Sequence, residues 1–257
     1  MKTEEIYRCL SALYPESLRS DWDNDGIMVC PASNTQITKI MTTLDVTDEV
    51  VDKAIEYGCQ LIVSHHPLIF HPLTSLDEAD SHSKLVLRLV ESKISVISLH
   101  TRFDAADGGL NDCLAERLGA ERCEKFGIEE DGCLLGRCFA VDTTASEFAL
   151  LAAKRLGCPV RLYGDEKARI KKVGVVSGGG KSYLYSAKAA GCDLFLTGDL
   201  THSAVIDASE KGLVLIDAGH FATEVICCEI FKNVLMSLDP SLEIINFSPD
   251  FSGKIIY

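Results

Sequence analysis

Residues 37–64 lie over residues 170–197 without a gap. The overlay matches Ile37 with Ile170, Lys39 with Lys172, Ala54 with Ala187, Gly58 with Gly191, Cys59 with Cys192 and Leu61 with Leu194, and most other strand positions agree in character. Self-similarity of this kind constrains a fold more than any local propensity. In the first copy, Ile37 to Leu44 alternates and is β-branched, Thr47 or Asp48 can cap a helix to about Tyr57, and Gly58 can end it before the run Leu61-Ile62-Val63. That is a βαβ unit. Leu85 to Glu91 then reads as a helix, Ile94 to Leu99 as a strand and Gly109 to Leu118 as a helix, the alternation of an α/β protein with mostly parallel, covered sheets. The copies realign at His100-Thr101-Arg102-Phe103-Asp104 against His220-Phe221-Ala222-Thr223-Glu224. The expectation is one domain over 1–257 made of two similar lobes from an internal duplication, about 1–126 and 127–257. Leu134 to Tyr163 reads as strand, helix and strand, and the acidic segment Gly127 to Gly132 reads as a linker.

With 257 residues, 47% of them hydrophobic, the chain can bury a substantial core. Its formal net charge of −13 argues against nucleic acid or an anionic membrane surface as a partner, since both reward excess Lys and Arg. The eleven cysteines are scattered through apolar segments, with no C-x-x-C pair and no start resembling a secretory signal. They read as reduced core residues of a cytoplasmic protein, the adjacent Cys227 and Cys228 included. No apolar run is long enough to cross a bilayer.

The chemistry gathers at strand ends. Leu61-Ile62-Val63 stops at Ser64-His65-His66-Pro67, two imidazoles at the carboxyl edge of a sheet, where α/β proteins hold ligands. If the lobes pair about a pseudo-twofold axis, His65, His66, His100 and Asp104 from the first lobe face one cleft with His220 and Glu224 from the second. A helix starting near Phe221 puts His220 and Glu224 on one face, while Asp104 falls in a loop ahead of Gly108-Gly109. Histidine with carboxylate and no thiolate is the ligand set of a hydrolytic or redox metal rather than of a structural zinc. Four histidines and two carboxylates exceed the needs of one ion, which points to two metals. Asp45 and Asp199, at related strand ends, are candidates to orient the imidazoles.

Ser177-Gly178-Gly179-Gly180-Lys181-Ser182 resembles a phosphate loop, but the position that needs the first glycine is Val175. What remains is either a strand-to-helix turn or a set of amides that, with Lys181, meets an anionic group of a substrate. In Asp21-Trp22-Asp23-Asn24-Asp25-Gly26 the only tryptophan sits in turn chemistry, either as a surface turn with a packed indole or with Asp23 or Asn24 at a ligand pocket. His71 and His82 read as solvated, and His202 as a helix cap or pocket wall.

Taken together, Trp22-Asp23-Asn24-x-Gly26, Ser64-His65-His66-Pro67-Leu68, His100-Thr101-x-x-Asp104 with Gly108-Gly109-x-Asn111-Asp112, Thr197-Gly198-Asp199 and Gly219-His220-x-x-x-Glu224 resemble the Nif-three-like family over nearly the full length. Its members are often labelled GTP cyclohydrolase I type 2 homologues. The resemblance implies two divalent metal ions, of zinc, iron, manganese, cobalt or nickel, held by His65, His66, Asp104, His220 and Glu224. It also implies His100 as a catalytic or orienting residue, a toroidal homohexamer, and no large domain inserted between the lobes. The expected function is hydrolysis of a nucleotide or related heterocycle, with Asn24 and Lys181 on the substrate and ring opening of GTP as the family-implied reaction. The alternative is a non-catalytic metal-binding regulatory or scaffold protein.

Overall fold

The computed structural model describes residues 1–128, 133–251 and 253, and the chain divides into two compact units. The first joins Met1–Phe103 to Cys227–Asp250, and the second is built on Asp104–Ile226.

The first unit carries a five-stranded sheet of β1 (Gly26–Val29), β2 (Lys39–Thr43), β3 (Leu61–Ser64), β4 (Ser95–Ser98) and β11 (Glu243–Asn246), ordered β1-β4-β3-β2-β11. Only β1 runs antiparallel, at the edge. All four residues of β3 and of β4 are buried, without the alternation of a half-exposed strand, because helices cover the parallel core. Those helices are α1 (Thr3–Leu13), α2 (Asp48–Glu56), α3 (Ser81–Glu91) and α10 (Cys227–Leu238). Thr47 caps α2 by accepting from the Val50 amide, and Val50, Val51 and Ala54 form its buried stripe. Cys227 and Cys228 are buried on α10, as core residues.

The second unit carries a six-stranded sheet of β5 (Glu124–Ile128), β6 (Cys133–Thr144), β7 (Arg161–Tyr163), β8 (Arg169–Val175), β9 (Leu194–Thr197) and β10 (Val214–Asp217), ordered β5-β6-β8-β9-β10-β7. Here β8, β9 and β10 are parallel, while β5/β6, β6/β8 and β10/β7 are antiparallel, so both sheets are mixed. Its helices are α5 (Leu110–Leu118), α6 (Ala145–Leu156), α7 (Leu184–Ala189), α8 (His202–Glu210) and α9 (His220–Glu224). The excursion from Leu134 to Tyr163 is β6, α6 and β7; of the segment expected as a linker, Gly127 lies in β5 and residues 129–132 lie outside the described residues. Among the described residues no helix is long and apolar enough to cross a membrane.

The parallel core of each unit has the same register. Ile40 pairs with Leu61 and Leu61 with Ser95 in the first; Val173 pairs with Leu194 and Leu194 with Val214 in the second. The offset that lays Leu61 on Leu194 also lays Ile40 on Val173. Because Ser64 is level with Ser98, and Thr197 with Asp217, the residues that follow leave neighbouring strand ends side by side.

Candidate metal centre

His65 and His66 leave β3 beside His100, which leaves β4, and one ring nitrogen of each lies within 4.8 Å of the others. Each Nδ1 is already engaged. That of His65 meets the Leu99 carbonyl oxygen at 2.8 Å, that of His66 meets Asp45 Oδ1 at 2.7 Å, and that of His100 meets Asp23 Oδ1 at 2.8 Å. A carbonyl oxygen only accepts, so the proton of His65 sits on Nδ1 and its lone pair on Nε2; ionised carboxylates impose the same tautomer on His66 and His100. Three imidazoles held at Nδ1 by these partners leave Nε2 as the atom to meet a divalent ion of borderline hardness. Asp45 therefore has the orienting place expected of it.

Asp23 does more than hold one ring. Its side chain is buried and also accepts from the Thr101 amide at 3.0 Å and the Thr101 hydroxyl at 2.6 Å. Burial by itself would raise its carboxyl, but hydrogen bonds from His100 and Thr101 outweigh it and hold it at about 2. That capture of a first-turn amide explains a correction: Asp104, expected in a loop, sits on a single helical turn, α4 (Thr101–Ala105), that begins directly after His100. Beneath it, Asp25 Oδ2 accepts from the His100 amide at 3.1 Å and lies 2.9 Å from Arg102 Nε, both side chains fully buried. Burial raises the Asp25 carboxyl, and the Arg102 guanidinium opposes it. Asp25 and Arg102 lie far apart in the chain, and nothing beside either in the sequence marks them as a buried pair. Asn24 lies in the same loop and donates through Nδ2 to the Ile69 carbonyl.

The second unit presents a smaller donor set. His220 and Glu224 share one face of α9, with His220 Nε2 2.9 Å from Glu224 Oε2. Two ligands bound side by side to one ion at about 2.0 Å each stand about 3 Å apart, so this pair fits a shared metal. Asp199 Oδ2 holds His220 Nδ1 at 2.8 Å. Behind them stands the glycine turn. Gly178 has φ +59°, and a Cβ there would be driven into Glu224 Oε1 and come to 3.0 Å from His220 Nε2. Its amide donates to Thr223 Oγ1 at 2.9 Å, and that of Gly180 to Thr197 Oγ1 at 2.8 Å, so two amides of the turn are spent within the unit. Lys181 follows, exposed, at the start of a short 3-10 turn. Asp104 Oδ1 accepts from Ser177 Oγ at 3.5 Å, and Asn111 bridges the Asp104 carbonyl and the Ser177 amide. His71 is exposed, His82 is exposed in the first turn of α3, and His202 opens α8 behind its cap Thr201.

The fold and these donors define an α/β protein with histidine-rich strand ends able to hold a metal ion. Residues 1–250 match the model of the family described as Duf34/NIF3 (NGG1p interacting factor 3), and the chain belongs to that family. A Clostridium perfringens protein named GTP cyclohydrolase 1 type 2 homolog is 34% identical over 252 residues, covering 95% of each chain. The structure of reduced HcgD from Methanocaldococcus jannaschii superposes with a TM-score of 0.84 at 31% identity, over 96% of this chain and 97% of that one. A Bacillus cereus protein related to NIF3 superposes at 0.89 over 100% and 99%, and at 22% identity it speaks for the fold.

Proposed function

We propose that the chain is a metal-dependent hydrolase of a nucleotide or related heterocycle, with His65, His66, Asp104, His220 and Glu224 as ligands of two divalent ions. The observation that carries this reading is the set of imidazoles whose Nδ1 atoms are tied to a carbonyl or carboxylate, which readies the opposite nitrogens for coordination. When bound, such ions supply Lewis acidity and lower the pKa of water toward neutrality. His100 accepts and returns a proton at Nε2, while Asp23, ionised and fixed at Nδ1, stabilises the imidazolium that results. Asp45 and Asp199 hold His66 and His220 to one orientation. The relatives named GTP cyclohydrolase 1 type 2 homolog make GTP the first substrate to try, with ring opening and release of formate as the reaction. Asn24 and Lys181 are the proposed substrate contacts, and a cytoplasmic toroidal homohexamer is the proposed assembly, resting on the sequence resemblance.

The test is metal analysis of the purified protein followed by assay of formate release from GTP and a panel of nucleotides and pterin precursors. The expected result is two ions per chain and a turnover that His100→Ala lowers by about a hundredfold or more at unchanged metal content. One ion or none at saturation removes the dinuclear claim, and a metal-replete protein inert across the panel removes the hydrolase. Light scattering of the same sample tests the hexamer.

A further inference from the structure

Trp22 and Phe70 remain unexplained by metal binding. Their side chains are large and apolar, yet Trp22 is 57% and Phe70 37% exposed, so both forgo the stabilisation that burial would bring. They are not loose ends of mobile loops. The residue after Trp22 is Asp23, pinned to His100 and Thr101; the residue before Phe70 is Ile69, whose carbonyl takes the Asn24 amide. Hydrogen bonds one residue away from each ring thus hold the two loops together and keep the rings out of the core.

The rings have a definite place. Their centroids are 6.2 Å apart, and that of His100 is 6.0 Å from Trp22 and 6.4 Å from Phe70, closing a nearly equilateral triangle. The His100 ring plane stands nearly perpendicular to both, at 77° and 87°, and its centroid is 5.2 Å from that of His65 and 5.7 Å from that of His66. An exposed aromatic pair held beside polar groups fits a ligand that is flat and apolar on its faces and polar at its edge.

We infer that Trp22 and Phe70 form an aromatic wall on which the planar heteroaromatic ring of the substrate stacks, with Asn24, beside its proposed substrate contact, tying the two loops through Nδ2 and so fixing where the rings stand. The inference rests on reading the neighbouring imidazoles as the reactive centre. It assigns the base or base-like ring, rather than the sugar or phosphates, as the part recognised beside His100.

Trp22 is the only tryptophan, so its fluorescence reports directly. Guanosine titrated into the metal-loaded protein is expected to quench it saturably, and ribose 5-phosphate to leave it unchanged. By equilibrium dialysis, Phe70→Ala and Trp22→Ala each weaken guanosine binding by about tenfold, while Trp22→Phe restores it. Asn24→Ala weakens it less than either. The rings are exposed, so folding is expected to survive, checked by circular dichroism, and metal content is unchanged throughout. No saturable quenching by guanosine, adenosine or pterin in metal-replete protein overturns the aromatic wall, as does a Phe70→Ala variant that binds like wild type. Quenching that persists in a protein with no metal affinity supports the wall and overturns the hydrolase instead.

Discussion

The ends of β3 and β9 occupy the same place in the same backbone pattern and carry different chemistry. After Ser64 the first unit places His65 and His66; after Thr197 the second places Gly198 and Asp199. The cause is visible at Gly198, where a Cβ would stand 2.5 Å from the Gly219 carbonyl carbon and 2.6 Å from the His220 nitrogen. The backbone leaving β10 stands where a side chain at position 198 would have to lie. With no room for an imidazole, the strand end supplies a carboxylate instead, and Asp199 orients a histidine from the next strand. The orienting group of the first unit is Asp45, at the end of β2; the residue in the same place after β8 is Gly178, kept bare so that Glu224 can lie against it. One backbone pattern therefore serves two uses. In the first unit strand ends present candidate metal donors, and in the second they shape the room for candidate donors carried on α9.

That contrast can be broken at five positions. The largest effect is expected at Gly178→Ala, where a positive φ and a Cβ driven into Glu224 together cost about 3 kcal/mol or more, read as a fall in the urea midpoint. Next come the orienting carboxylates. Asp45→Ala and Asp199→Ala should each lower metal affinity by about ten- to a hundredfold in a chelator competition, through His66 and His220 respectively. Equal losses at the two positions would support their common role, and a loss at only one would remove it.

Asp23→Asn tests the buried carboxylate of the first unit, for which the more exposed Asp199 is no match in stability. With the folded carboxyl at about 2, below its ordinary value of 3.8, ionised Asp23 contributes about 2 kcal/mol at neutral pH. A depressed carboxylate stabilises fully above its unfolded pKa and loses that contribution as pH falls through the folded one. The gap between wild type and variant should thus close between about pH 4 and pH 2 in denaturation curves. The smallest effect is expected at the helix caps. Thr47→Ala should destabilise by about 1 kcal/mol, whereas α7, in the corresponding place, begins without a side-chain cap.

Much of this is legible in the sequence. The ungapped match found the shared register because strands buried on both faces constrain every residue in them. Adjacent histidines after an apolar run stood out because imidazoles there are costly to explain as packing. Asp45 and Asp199 were legible from their places at strand ends. What escaped depends on folding across long separations. Nothing near Asp25 marks it as the buried partner of Arg102, and the tryptophan turn reads as a packed indole or as Asp23 or Asn24 at a pocket, neither of which presents the ring that stands 57% exposed. The use of the glycine turn escaped because its glycines answer to Glu224 and Thr197, neither of them near in sequence. Asp104 looked like loop because the turn that carries it depends on Asp23 for its first amide.

The pairing of β11 with β2 has a consequence for how the chain is made. Asn246 Oδ1 accepts from Thr42 Oγ1 at 2.6 Å, across 204 positions. A ribosome releases β2, β3 and β4 well before the helix and strand that cover β2, with residues 104–226 made in between. The second unit, built on Asp104–Ile226, can fold during that wait; the first keeps an open strand edge until β11 is made. Truncation shortly before Glu243 should leave that edge bare and the nascent chain prone to aggregate, while the interior unit is already in place.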